Sequence, residues 1–523
     1  MPIVQSAFSG DSDRIEQAEA LLAEYVGRDK VRQDGIKAVG VPISKNTTFV
    51  QTFLEEQTQK YPEFFPRLLE VGAKAGLQLL RSTHLPIATY LMRIVHPNRL
   101  RPHAEVFDRQ VFEHYVKLTG DSNIVEGNPA FRAPFRHAGL AFRSIARTCP
   151  IAYLASLANA LEVLESLDGN TRTVLEFFRQ SPDPLVPVPA LVRTALMSGL
   201  PEMLAEAWQV AHTQIFADHP SEIFGNTLHD FLTNIATADA GVKLQSLLTA
   251  DAENAWCGEE EEKGTEEDRA RTMANKTRGS NSIFSFAPTS ALIEMPDDAF
   301  TLAHTVRTGT HVMPEHMCVC GEHTTTFAHI LSCKKLQARF TRHDIIVLMV
   351  ENFFRNAGMC ARREVQVVNG TQKRMDVVVY SGAKRFWIDV SIVNPLAATY
   401  VRSRNAIKVR ESVKRGRWSR HAAAVGAIFL PFVVNAFGGL GPSAISVLQM
   451  VAVQALKASP YRRTAPAGRW MQAHREASAQ RVTAAIWHIN NINIEEALAR
   501  SQGRRQGNLY KGVRKLAEVS PLL

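Results

Sequence analysis

The sequence predicts an α+β protein, helical through its first half and built in its second half on a helix, three strands, a helix and a strand. Three observations carry this. Apolar residues recur at three- and four-residue spacing through FVQTFLEEQTQKYPEFFPRLLEVGAKAGLQLLRS and again through IAYLASLANALEVLESL, the period of a helix with one buried face. The composition then turns charged and poor in apolar residues over residues 251–282. Beyond it, short β-branched and aromatic runs alternate with turn dipeptides, the signature of strands joined by hairpins. With 523 residues, 45% hydrophobic and 21% charged, the chain can bury cores for about two to four domains.

Taken in order, residues 1–250 form a helical region, with the helical period clearest from 12 to 230. Its first residues, MPIVQSAFSGDSDRIEQ, lack the basic-then-apolar pattern of a secretory leader. Residues 251–282 read as a charged linker, because too little apolar surface is present to bury. Residues 283–335 are a connector carrying a cysteine/histidine cluster. The run KLQARFTRHDIIVLMVENFFRNAG (334–358) is an amphipathic helix closed by Asn356 and Gly358. Strands follow in REVQVV (363–368), RMDVVVY (374–380) and RFWIDVSIV (385–393), punctuated by Asn369-Gly370 and Ser381-Gly382. A basic helix spans about Arg402 to Arg420, and AVGAIFLPFVV (424–434) is a buried strand. No charge occurs from Ala422 to Leu456, but Pro431, Asn435 and the GGLGP run cut this stretch below the length of about 20 residues that a spanning helix needs. The expectation is a domain at 336–456, without a membrane span, followed by a basic helical extension at 457–523.

Charge divides by position. Residues 401–523 hold 20 Lys and Arg against 5 Asp and Glu, a net of +15, which leaves −6 for residues 1–400 and +9 for the chain. A basic segment on a neutral-to-acidic body is the footprint of a polyanion binder, though a solvated helix face has the same composition. Three of the six cysteines fall between 318 and 333, which excludes a disulfide-stapled secreted framework and points to a metal site.

Four constellations carry chemistry. Cys318, Cys320, His329 and Cys333, spaced C-x-C-x8-H-x3-C, supply what a closed structural zinc site needs; His316 and His323 are alternative nitrogen ligands. Glu364, Asp376 and Asp389 fall one on each strand. Strand alternation puts Asp389 with Trp387 and Ser391 on one face, and Ile388, Val390 and Ile392 on the other. Carboxylates so close repel unless a cation such as Mg²⁺ holds them; three solvated acids on an open sheet face are the plainer reading. Arg342 and His343, beside Asp344 on the preceding helix, are suited to clamp a phosphate oxygen and to position a phosphate or water. On the basic helix, Lys408 and Lys414 could enter the acid site, while Arg404, Arg410, Arg415 and Arg417 would line a phosphate track.

The cysteine/histidine knuckle, the RHD tripeptide, Glu364, RMDVVV, WIDVSIVNP, the basic helix and FLPFVVNAFGGLG together resemble the restriction-like endonuclease domain of site-specific non-LTR retrotransposons, of the PD-(D/E)XK nuclease class. GIKAVGVPIS (35–44), LLRSTHLPIATYLMRIVHP (79–97), VFDRQVF (106–112) and APFRHAGLAFRS (133–144) resemble the segment that follows the polymerase palm in those elements, including the thumb. The resemblance implies Asp376 and Asp389 as Mg²⁺ ligands, Glu364 assisting, and Lys414 or Lys408 as the catalytic lysine supplied by the helix. It departs from the motif at Met375, where the motif has proline, and at Ser391, where it has lysine. No Tyr-x-Asp-Asp occurs, and Asp297-Asp298 lies after Pro296 in a polar loop, so polymerase activity is not expected. The expectation is a metal-dependent DNA endonuclease, the back part of a longer polyprotein, acting in the nucleus on target DNA, with the element's RNA as a further partner. The rival is a zinc-dependent nucleic-acid-binding relic without turnover, and a third reading makes the helical half a protein-interaction scaffold.

Overall fold

A computed structural model describes residues 31–32, 35–38, 41–43, 46–60, 63, 65–160, 172–173, 176–177, 200–219, 221–237, 244–285, 295–313, 317–321, 326–336, 338–368, 372–403, 405–458 and 466–502. The chain is an α+β protein with two compact units. One comprises Met1–Val71, Leu79–Leu118 and Phe142–Glu259; the other comprises Gly72–Gln78, Thr119–Ala141 and Glu260–Leu523.

The first unit is helical, as its apolar spacing predicts, with one addition. GIKAVGVPIS contributes to a small antiparallel sheet of β1 (Val31–Arg32), β2 (Gly35–Ala38) and β3 (Val41–Ile43), in which Ile36 pairs with Ile43. The helix Ile145–Asn159 shows how its ends are satisfied. Buried Asp108 accepts from the Ser144 hydroxyl and from the Ile145 and Ala146 N–H groups, while Ser144 caps Arg147. Tyr153 and Leu154 of that helix pack with Leu204, Trp208, Phe224 and Phe231 in one apolar core.

The segment read as a linker, which belongs to the second unit from Glu260 onward, is folded. Residues Leu244–Lys263 and α1 (Glu266–Lys276) are helical, and α1 opens on a reciprocal capping box between Thr265 and Asp268. Its charges do not need solvent alone, because Arg271 pairs with Asp268 and Lys276 with Glu261. Next come α2 (Asp297–Thr308), α3 (Phe327–Ser332) and α4 (Ala338–Asn356). Strands β4 (Cys360–Gln366), β5 (Arg374–Ser381) and β6 (Lys384–Val393) follow, then α5 (Ala406–Ala424) and β7 (Ala427–Asn435). This is the expected α, β, β, β, α, β order. The sheet runs β4-β5-β6-β7, antiparallel for its first two pairings and parallel for the last, with α5 as the crossover that a parallel pair requires. Pro431 sits inside β7 without breaking the ladder because β7 is an edge strand. The Ser381-Gly382 turn is confirmed by the Ser381–Lys384 pairing, whereas Asn369-Gly370 lies outside the described residues.

After β7 the GGLG turn leads into α6 (Pro442–Ala458), and α7 (Ala467–Ser501) ends the described fold. No described helix is long and apolar enough to cross a membrane. Residues 467–501 are not an appended basic extension. Val482, Ile486, Ile489 and Ile492 of α7 share one core with Met349 and Phe353 of α4, Val447 and Val451 of α6, and Val377, Val379, Ile388 and Val390 of the sheet. The opposite sheet face packs Val378, Trp387 and Phe429 on Trp418 and Ala422 of α5.

The GGLG turn is held from two sides. The Asn435 carboxamide accepts from the Phe437 and Gly439 N–H groups and donates to the Ala274 carbonyl of α1. Gly438, at φ 83°, lies under α7, where a Cβ would come 2.3 Å from Thr483 Cγ2. Gly438→Ala therefore combines left-handed strain with a steric clash against a helix. We expect a loss of roughly 2–4 kcal/mol, read by urea denaturation, as for other overpacked and strained core positions. A change below about 0.5 kcal/mol, typical of an ordinary surface substitution, would contradict this packing.

Candidate metal centre and acid site

The cysteine/histidine cluster converges. The ligand atoms of Cys318, Cys320, His329 and Cys333 all lie within 4.8 Å of one another. Cys318 Sγ is 3.6 Å from Cys333 Sγ, and Cys320 Sγ is 3.4 Å from His329 Nε2. Four atoms bonded to one zinc ion at about 2.3 Å (sulfur) and 2.0–2.1 Å (nitrogen) would sit about 3.8 and 3.6 Å apart, so the cluster fits a tetrahedral ion. It can bind a metal such as zinc. Gly321, at φ 93°, closes the turn by donating its N–H to the Cys318 carbonyl, and a Cβ there would meet nothing. Only backbone conformation demands glycine at this position. Thr326 caps α3 at the His329 N–H, which aims the histidine from the first turn of that helix. Burial, followed by the neighbouring thiols, pushes the Cys318 thiol up to about 12. His316 and His323 lie outside the described residues.

The acid site forms on the α5 side of the sheet. Val377 pairs with Ile388, and continuing that register sets Asp376 opposite Asp389, side chains on one face. Asp376 Oδ2 accepts the Val390 N–H at 2.6 Å and lies 3.4 Å from His343 Nε2. Asp389 is 6% exposed, and its Oδ2 is 2.5 Å from Lys414 Nζ. Among the described residues no hydrogen bond reaches either Oδ1. Burial raises the Asp389 carboxyl above its ordinary range; Lys414 opposes this shift, and the charge of Asp376 reinforces it. For His343, burial works downward, but hydrogen bonding and charge from Asp376 and then Asp344 outweigh it and raise the imidazole to about 9. Strand alternation in WIDVS thus placed Asp389 correctly.

The geometry of α5 decides between the lysines. Lys408 and Lys414 are six residues apart, about 240° around the helix, so only one can face the sheet. Lys414 does, and Lys408 is exposed, its amino group without a partner among the described residues. A further match makes the arrangement regular. Four helical residues rise about 6 Å and two strand residues about 6.6 Å, so successive turns of α5 meet alternate residues of antiparallel-running β6. Ile407 packs with Val393, Arg410 Nε donates to Ser391 Oγ at 2.8 Å, Lys414 meets Asp389, and Trp418 packs with Trp387.

Several expected roles do not survive. Arg342 is no phosphate clamp: neighbouring residues on a helix point about 100° apart, so with His343 at the acids it turns inward. It is 4% exposed and donates to the Leu331 carbonyl and Asn490 Oδ1, tying the end of α3 to α7. Glu364 lies level with Asp376 in the β4–β5 register, but it is exposed and its backbone sits at φ 53°. That conformation breaks strand alternation, and among the described residues no hydrogen bond or ion pair joins Glu364 to the two aspartates. Arg410 points at Ser391 rather than along an outer track. Arg415 donates to Ser443 Oγ, and Arg417 is exposed, stacked on the Trp418 ring at 5.1 Å. Arg404 lies outside the described residues.

Two residues escaped the sequence reading. Glu411, buried on α5, accepts the Ser443 N–H in the first turn of α6. Asn394, directly after β6, donates to the Ala328 carbonyl and Ser332 Oγ of α3. The Asn-Pro pair at 394–395 signals a turn, but nothing local shows that it clasps the knuckle helix. No protein-family model matches the chain, and no curated protein matches it.

Proposed function

We propose that this chain is a metal-dependent DNA endonuclease of the PD-(D/E)XK class, related to the restriction-like endonuclease domain of site-specific non-LTR retrotransposons and without polymerase activity. The observation that carries the reading is the facing pair Asp376 and Asp389. Each holds its Oδ2 on a protein group and keeps its Oδ1 uncommitted among the described residues. A surface ion pair has no use for two carboxylates opposed on one sheet face, because their repulsion raises the cost of ionising either. Asp376 and Asp389 would hold Mg²⁺, which when bound activates water and neutralises charge on a phosphodiester.

The chain's own groups prepare that site. The Val390 N–H fixes the Asp376 rotamer, and Lys414 opposes the effect of burial on the Asp389 carboxyl. His343 stands 3.4 Å from Asp376, within reach of a water or phosphate oxygen bound beside it. The knuckle and the basic face of α5 would hold the nucleic acid, with Arg417 and Lys408 as exposed phosphate contacts. Purified protein incubated with supercoiled plasmid and Mg²⁺ should yield nicked circles, and Asp376→Ala should not. Equal conversion by both would end this reading. The exposed position of Glu364 favours one alternative, a nucleic-acid-binding relic, whose sign is plasmid binding with a steep negative salt slope and no nicking.

A further inference from the structure

Two cations four residues apart on α5 face the acid wall, but they are committed differently. Lys414 is spent on Asp389. Arg410 uses only its Nε, on Ser391 Oγ, two residues along β6 from Asp389 and on the same face. Among the described residues its two terminal amino groups have no acceptor. The side chain is half-buried. A guanidinium held at one nitrogen, two residues along β6 from Asp389 and with its fork open, is a preorganised site for a tetrahedral oxyanion, since the fork matches two oxygens at once.

We infer that Arg410, oriented by Ser391, is the group that grips the phosphate to be cleaved, and that Lys414 serves the carboxylate rather than the substrate. The inference rests on the nuclease reading above and gives it a specific phosphate contact. It separates the two cations by role: Arg410 contacts substrate, Ser391 is a positioning residue, and Lys414 is the ion-pair partner of Asp389. It also accounts for the serine at 391. A lysine there would meet the guanidinium of Arg410 head-on, whereas a hydroxyl accepts its Nε–H.

Two measurements on the full chain test this. The first is calorimetric binding of thymidine 3′,5′-bisphosphate in Ca²⁺ by wild type, Arg410→Gln, Arg410→Lys and Lys457→Gln, each checked for an unchanged thermal midpoint. Arg410→Gln should weaken binding at least tenfold, and Arg410→Lys should recover only part of the loss because it restores the charge without the fork. Lys457→Gln, at an exposed lysine in the last turn of α6, should stay within twofold. The second is plasmid nicking in Mg²⁺, where Arg410→Gln should lower kcat at least a hundredfold with little change in KM, and Ser391→Ala about tenfold. Bisphosphate binding by Arg410→Gln equal to wild type would overturn the inference whether or not the plasmid is nicked. Binding that depends on Arg410 with no nicking by the wild type would uphold the phosphate site and overturn the nuclease reading alone.

Discussion

Asp389→Asn abolishes plasmid nicking while leaving the fold as stable as before or more so. The two halves of this expectation have separate causes. The carboxylate is buried and faces Asp376, and both burial and that like charge disfavour its ionised form. Asparagine keeps the shape and an acceptor for Lys414 but removes the repulsion, so the thermal midpoint should hold or rise. Activity should fall by about 10³-fold or more, equivalent to roughly 4 kcal/mol of barrier, because a neutral amide is a poor ligand for a hard divalent ion. If the Asp389–Lys414 pair were purely structural, breaking it would instead cost about 3–5 kcal/mol of stability, as uncompensated buried charges do. A large drop in midpoint with nicking intact would remove Asp389 from the active site.

Cys333→Ser releases the metal and loosens the knuckle. The four ligands join the Cys318–Gly321 turn to α3, and folding energy in small zinc modules comes from the bound ion. One bound zinc per wild-type chain is expected by elemental analysis, and well under half of that in the variant. The stability cost should be roughly 3 kcal/mol or more, read as a lower thermal midpoint that added zinc does not restore. Wild-type protein stripped by a chelator should show the same midpoint and recover on zinc addition. Full zinc content in Cys333→Ser would exclude this ligand set and turn attention to His316 or His323.

How much of this was legible beforehand differs by residue. Trp387, Asp389 and Ser391 share a face simply because strands alternate, and the order of elements from α4 to β7 follows from periodicity and turns. The choice of Lys414 over Lys408 was not readable, because it depends on the axial match of α5 to β6 rather than on any local pattern. Arg342 and His343 looked like one motif, yet adjacent helix residues cannot both face the acids, and Arg342 belongs to the knuckle's support. Residues 251–282 were misjudged because charge density was equated with solvent exposure, although Glu261, Asp268, Arg271 and Lys276 neutralise one another along two helices. The long helix α7 was hardest to place. Its buried stretch from Ser478 to Ala499 contains Gln480, Arg481, Asn490, Asn493 and Glu496, so no clean apolar stripe announces a core helix.

That helix sets the order of events by which the acid site comes into being. α4, the sheet and α6 leave Phe353, Val447 and Val451 bare until residues 482–492 arrive to cover them. The strands that carry Asp376 and Asp389 are therefore emitted by the ribosome about a hundred residues before the element that seals their core. Contacts of such separation make folding slow. In the interval a half-formed, apolar-faced sheet is exposed, a natural client for chaperones and a reason to expect that fragments ending near residue 456 aggregate rather than fold.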